Sequence, residues 1–418
     1  MGFNSMLDGR RQRNRVVISG AGIITPLGYG WSKNSNGFRA GRNALSLVTL
    51  FDVSRQKAKV AGQVNLPESL PENRLTLRNK KRIDRAGAML LLAGSEAFHA
   101  SGWDFAKMDK LIPICLGTSA GSMELGEDYY RVAIEGTTRR QQAERISGYQ
   151  THRQGMQLCE AFGINASLTI ISNACSSGAN AIGHAFRLIQ RGHARRAVAG
   201  GYDALCKMVF AGFDSLNALS TTSPRPFAAD RDGLGLGEGA AIFCLERMDD
   251  ALKRGAHIYA EIGGYAAATD RHHLTQPHPE GVSAYSTMNH SCIEACVNPA
   301  DVAYLNSHGT GTPLNDSAEG RAICHWAGNA VQELRVSSTK GNIGHLLGGA
   351  GAVESAICLM AMEGRWIPPG VSVANPDPVC DFDLVQSPRE VSSLPVTLTN
   401  SFGFGGSNAS LVFKLATS

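Results

Sequence analysis

Four short stretches of the chain concentrate the residue types from which covalent and acid–base chemistry is built. Ser172-Asn173-Ala174-Cys175-Ser176-Ser177-Gly178 offers a thiol. Asn306-Ser307-His308-Gly309-Thr310-Gly311-Thr312-Pro313 offers an imidazole in a glycine loop. Ser338-Thr339-Lys340-Gly341-Asn342-Ile343-Gly344-His345 adds a lysine and a second imidazole, and Asn400-Ser401-Phe402-Gly403-Phe404-Gly405-Gly406-Ser407-Asn408 is a mobile-looking glycine loop with two phenylalanines. A lone loop histidine is more often structural than reactive. Two of them beside one cysteine make an inventory of nucleophile and acid–base partners.

The flanking elements say how these groups would be held. Leu168–Ile171 is β-prone, and Ala179–Ile189 reads as a helix. Cys175 then sits on a tight strand-to-helix turn at the positive end of a helix dipole. That placement favours a thiolate and leaves backbone N–H groups facing a developing negative charge. The competing reading is a small apolar residue in a core, the commoner fate of such a cysteine. His308 follows a strand at Val302–Asn306. Lys340 and His345 lie between a strand at Leu334–Ser338 and a small-residue helix through Glu354. The plan of strand, polar glycine turn and small-residue helix is used twice, which predicts two related α/β halves rather than a repeat array. We expect a flexible segment 1–15, an N-terminal half 16–257 and a C-terminal half 258–418.

Composition narrows the classes. The 418 residues suffice for a large α/β core, and a net charge of +4 gives no reason to expect a general polyanion binder. Ten scattered cysteines without a CxxC pair fit a reducing, cytoplasmic setting. Residues 1–15 lack the apolar stretch of a signal peptide, and no run approaches the ~20 apolar residues that span a bilayer. Cys292 and Cys296 share a helix face at i, i+4 without companion ligands, so no metal site is expected. Gly20-x-Gly22 has the outline of a dinucleotide loop, but Pro26 falls where its helix should start, so a strand ending in a tight turn is expected. The basic run Arg74–Arg85 reads as a solvated helix start or as a dock for an acidic partner. It has no interleaved aromatics for single-stranded nucleic acid.

The four stretches, in this order, resemble those of the β-ketoacyl-acyl carrier protein synthases, both the type II synthase of fatty-acid synthesis and the type II polyketide ketosynthases. The similarity runs from about Val16 to Phe413. It implies a thiolase-like α/β fold, with two pseudo-symmetric halves in a five-layer α-β-α-β-α sandwich of two mixed sheets around buried helices. It also implies a dimer. Carried over residue by residue, Cys175 is the acyl-accepting nucleophile, and His308 and His345 promote malonyl decarboxylation. Lys340 completes the catalytic set through a polar network with Glu354. The N–H groups of Cys175 and Phe404 form the oxyanion hole. Ala120, Phe213, Thr310, Thr312, Phe402 and Phe404 contact substrate, with Phe404 gating acyl access. Asp316 and Glu319 are structural. Arg78, Lys81 and Arg82 fall where the family docks its acidic carrier protein, which favours the docking reading of the basic run. No cofactor or metal is implied, since substrates ride on the phosphopantetheine of acyl carrier protein. Nucleic acid and membrane insertion are not implied either.

Departures leave the pathway open. Ala120 stands where the fatty-acid enzyme carries a bulky aliphatic residue, Leu234 where phenylalanine is usual, and the loop Ser220–Pro226 reads as shortened. A type II polyketide or polyene ketosynthase is therefore the alternative to fatty-acid elongation, with a homodimer or a heterodimer with a chain-length factor. A non-catalytic chain-length-factor-like subunit would lack Cys175. A thiolase would need a Cys-x-Gly acid–base motif, which Pro378-Val379-Cys380-Asp381 does not provide.

Overall fold

A computed structural model describes residues 13–108, 111–136 and 142–416. Most of the expected flexible segment, residues 1–12, lies outside this part. At its end the chain is already anchored: the main-chain N–H of Asn14 donates to Gln190 at 3.1 Å, and Arg15 pairs with Glu261 at 2.7 Å.

Ten strands carry the fold: β1 Val16–Thr25, β2 Ile112–Gly117, β3 Ala166–Ile171, β4 Arg196–Asp203, β5 Gly239–Arg247, β6 Ala260–Thr269, β7 Tyr304–Asn306, β8 Arg335–Ser337, β9 Val396–Gly403 and β10 Ser407–Lys414. Their order is β3-β2-β4-β5-β1 in the first half and β8-β7-β9-β10-β6 in the second. Numbered within each half, both read third, second, fourth, fifth, first. The parallel and antiparallel pairings also match, with β2 parallel to β3 and β4 as β7 is to β8 and β9. This repeated wiring is the pseudo-symmetry expected from the twice-used plan. The two sheets are not separate, however. Each half presents its first strand at its inner edge, and β1 meets β6 antiparallel over Val16–Ile18, joining the halves into one continuous sheet.

Helices α1 Arg85–Ser101, α2 Ser177–Gln190, α3 Val282–Ala295, α4 Pro313–Ala327 and α5 Ala350–Gly364 complete the layers. α1 covers β1 and β5 from outside, and α3, backed by α4, covers β6 and β10. Between the half-sheets α2 and α5 touch strands of both halves and each other. α5 is buried on every side from Ala350 to Met362, as suits a helix apolar there except for Glu354 and Ser355. The two central helices cross on small residues: a Cβ on Gly351 would lie 2.9 Å from that of Ala179. Among the described residues the three largest apolar cores lie under α1 (Leu90, Ile114), between the half-sheets (Phe186, Ile357), and under α3 and α4 (Met288, Trp326).

Two local expectations are corrected. β1 does not end at its glycines but continues to Thr25, because Gly20 and Gly22 are packing positions. A Cβ at Gly22 would stand 2.1 Å from the carbonyl oxygen of Ala93 on α1. Cys296 does not share a helix face with Cys292: α3 ends at Ala295, and Cys296 is its left-handed cap, exposed where Cys292 is buried.

Candidate active site

The turn between β3 and α2 is built from short polar side chains. Ala174 adopts φ +56°, a left-handed conformation costing a non-glycine residue about 1–3 kcal/mol. Neighbouring hydroxyls hold it there. Ser177 Oγ accepts the Asn173 N–H at 2.9 Å and donates to the Ala174 carbonyl, and Ser119 Oγ donates to the same carbonyl at 2.9 Å. The next residue, Cys175, is thereby presented at the start of α2 with only 8% of its surface exposed. Burial pushes its thiol up to about 12, against the opposing pull of the Lys340 cation and the Phe404 N–H. The expectation of a resting thiolate is thus reversed, because desolvation outweighs the favourable charges around the sulfur.

His308 stands in the loop after β7, and two carboxylates from the first turns of α4 shape that loop. Glu319 accepts the N–H groups of His308 at 2.8 Å and Gly309 at 2.7 Å. Asp316 accepts those of Thr310 at 2.9 Å, Gly311 at 3.0 Å and Phe227 at 2.8 Å. Lys340, 2% exposed, donates from Nζ to the carbonyl of His308 at 2.6 Å and pairs with Glu354 on α5. His345 Nδ1 accepts the Leu347 N–H at 3.2 Å, which leaves its ring proton on Nε2. The two imidazoles lie 5.3 Å apart at 83°. Burial and the Lys340 cation hold both well below the ordinary imidazole range, so both are neutral at pH 7. The Nδ1 of His308 is buried with no hydrogen-bond partner among the described residues.

Cys175, His308, His345, Phe402 and Phe404 converge on one cavity of about 370 Å³, with Phe213, Leu234, Thr310 and Thr312 in its walls. The hydroxyls of Thr310 and Thr312 are 2.9 Å apart, and Phe404, 39% exposed, stacks on Phe213 at 5.8 Å. Gly403 passes close to the nucleophile, since a Cβ there would be 3.1 Å from the Cys175 nitrogen. A thiol, two neutral imidazoles and backbone N–H donors in an apolar cavity suit acyl transfer to sulfur and stabilisation of an enolate oxygen.

Not every expected site residue lines this cavity. Lys340 does not: its charge is spent on Glu354 and the His308 carbonyl, so it positions rather than touches substrate. Ala120 does not line it either and lies in a buried apolar cluster with Phe210, Leu219 and Leu234, of which Leu234 reaches the cavity. Arg78 and Lys81 are exposed on and just after the short helix Leu77–Lys80, but Arg82 is paired with Glu144. Sequence reasoning missed Asp203 at the end of β4, Arg231, which ties Asp377 to the Thr312 carbonyl, and the loop at Leu274 on the cavity mouth. An acidic residue two positions after Gly200-Gly201 was the available signal for the first.

Family models for the beta-ketoacyl synthase N-terminal and C-terminal domains match residues 13–251 and 259–374. The 3-oxoacyl-[acyl-carrier-protein] synthase 2 of Synechocystis sp. is 36% identical over 411 residues, covering 96% of this chain and 98% of the relative. Among solved structures, the ishigamide ketosynthase/chain length factor superposes with a TM-score of 0.89 at 28% identity, covering 97% of this chain and 100% of that one. A type II polyketide synthase acyl-carrier protein in complex with its ketosynthase bound to the hexaketide gives 0.87 at 27% identity, covering 97% and 100%.

Proposed function

Since this chain belongs to the β-ketoacyl synthase family, we propose that it joins an acyl group held on Cys175 to the two-carbon unit left by decarboxylation of malonyl-acyl carrier protein, in fatty-acid chain elongation. The single observation that carries this is the convergence of Cys175, His308 and His345 on one apolar cavity, with the Phe404 N–H facing the sulfur. The protein is a β-ketoacyl-acyl carrier protein synthase, an acyltransferase.

In the first half-reaction the Cys175 thiol attacks the acyl thioester. Its proton passes to a neutral imidazole, for which His308 has a ring nitrogen free of protein partners among the described residues, and then to the departing carrier thiolate. The N–H groups of Cys175 and Phe404 stabilise the tetrahedral oxyanion. In the second, malonyl thioester loses carbon dioxide. The electron pair of the broken C–C bond moves onto the thioester as an enolate, to which His345 Nε2–H and His308 donate. The enolate carbon attacks the acyl-cysteine carbonyl, the C–S bond breaks, and the Cys175 sulfur recovers a proton from solvent. This sequence calls for no cofactor. Lys340, Glu319 and Asp316 hold the His308 loop, while Thr310 and Thr312 suit the amides of a phosphopantetheine arm.

Acyl carrier protein is the proposed partner, met at Arg78 and Lys81, and a homodimer in the cytoplasm is the proposed state. The solved relatives from polyketide systems support a second reading, a type II polyketide or polyene ketosynthase paired with a chain-length factor. Intact-mass measurement after exposure to a panel of acyl-carrier thioesters, with Cys175→Ala alongside, tests both. Saturated medium or long chains confined to Cys175 support elongation. Preference for polyunsaturated or β-keto chains moves the protein to the second reading, and acylation elsewhere removes the nucleophile assignment.

A further inference from the structure

Asp203 is fully buried at the end of β4, and no basic side chain among the described residues lies within ion-pair distance of it. Its charge is met by hydrogen bonds alone. Oδ1 accepts the Thr118 hydroxyl at 2.6 Å and the N–H groups of Ala120 at 2.9 Å and Gly121 at 2.6 Å. Oδ2 accepts the N–H groups of Ser119 at 3.0 Å and Gly348 at 2.6 Å. These donors belong to two loops from opposite halves of the fold, and each loop is one bond from a reacting group. Ser119 Oγ donates to the carbonyl of Ala174, next to Cys175. Leu347, which precedes Gly348, donates its N–H to His345 Nδ1 and so fixes the tautomer of that ring. The loops also touch directly, since a Cβ on Gly348 would be 2.5 Å from the Ser119 nitrogen.

We propose that Asp203 is a positioning residue that sets His345 against Cys175 by clamping residues 118–121 to the Leu347–Gly348 turn. The proposal rests on the reading of Cys175 and His345 as reacting groups. Its two oxygens do different work. Oδ1 serves the loop beside the cysteine turn, where the Ser119 N–H is shared between Oδ2 and Oδ1, the latter at 3.2 Å, whereas the Gly348 bond belongs to Oδ2 alone. In Asp203→Asn the single carbonyl oxygen keeps the more numerous donors at Oδ1, and the amide NH₂ is turned on the Gly348 N–H, donor against donor. The His345 side is therefore released while the Cys175 side is kept.

The half-reactions separate the two sides. Acylation of Cys175 by an acyl-carrier thioester is followed by intact mass, and carbon dioxide release from malonyl-acyl carrier protein follows decarboxylation. For Asp203→Asn the decarboxylation kcat falls about 100-fold with KM unchanged, as expected for a reacting group displaced by about 1 Å, while acylation falls less than about fivefold. Asp203→Glu keeps the charge that the buried N–H groups need and displaces it by one methylene. It gives the same split at about tenfold, and serves alone should the asparagine variant not fold. Equal loss of both half-reactions, or decarboxylation within about threefold of wild type in a folded variant, overturns the proposal. A wild-type enzyme inert in both half-reactions overturns the reading of the site itself, and the role of Asp203 with it.

Discussion

The ammonium group of Lys340 donates to the main-chain carbonyl of His308 at 2.6 Å, not to its imidazole, and its other close partner is the buried carboxylate of Glu354. Lysine and histidine are thus linked through backbone, and the imidazole stays free to face the cavity. The same cation helps burial to hold both imidazoles neutral.

Lys340→Met removes one cause of that depression, so the His308 and His345 imidazoles titrate at higher pH than in wild type, which histidine NMR resonances report. Loss of the carbonyl anchor lowers kcat for condensation by about 100-fold with little change in KM. Unmoved imidazoles would contradict the electrostatic part, and a KM effect alone would contradict the positioning part.

Desolvation raises the Cys175 thiol to about 12 in the unloaded site. The thiolate fraction then grows about tenfold per pH unit below that value, so alkylation of Cys175 by iodoacetamide accelerates steadily from pH 6 to 9. Cys296 is exposed and reacts too, so the rate is read on the Cys175 peptide by mass spectrometry. A plateau reached near pH 7 would mean a resting thiolate and a helix dipole stronger than burial.

How much of this was legible in the sequence depends on whether a residue acts through its own neighbours in the chain. The cysteine turn and the two histidine loops are local patterns, legible together with their strands and helices. The fivefold layering followed from the resemblance, and the repeated strand order bears out the two halves. Positions that act through distant packing were misread or missed. Gly22 looks like a turn until α1 is laid against it, and Ala120 looks like cavity wall although it sits in the buried cluster from which Leu234 reaches the cavity. Asp203 collects donors from two loops more than a hundred residues apart in sequence, which no spacing rule reveals. The expectation for the Cys175 thiol had the wrong sense because helix position can be read from sequence and burial cannot.

Arg78 and Lys81 are exposed near the start of α1, while Arg82 is already paired with Glu144. Charge reversal at Arg78 and Lys81 together raises KM for acyl-carrier thioesters about tenfold or more and leaves kcat little changed, because each exposed ion pair contributes up to about 1 kcal/mol and reversal turns attraction into repulsion. Arg82→Glu has a smaller effect on KM and a larger one on stability. Kinetics with a small pantetheine thioester serve as the control, since that substrate does not meet this surface. An equal KM rise with the small thioester would remove the docking assignment.

The proposed chemistry divides labour between the sulfur, for acyl transfer, and the imidazole pair, for decarboxylation. Carbon dioxide release from malonyl-acyl carrier protein by Cys175→Gln measures it most directly. The amide fills the place of the thiol and cannot accept an acyl group, while His308 and His345 keep their loops. Condensation is then abolished and decarboxylation retained or raised, and His345→Ala in the same background removes it. Loss of decarboxylation in a folded Cys175→Gln protein would contradict the claim.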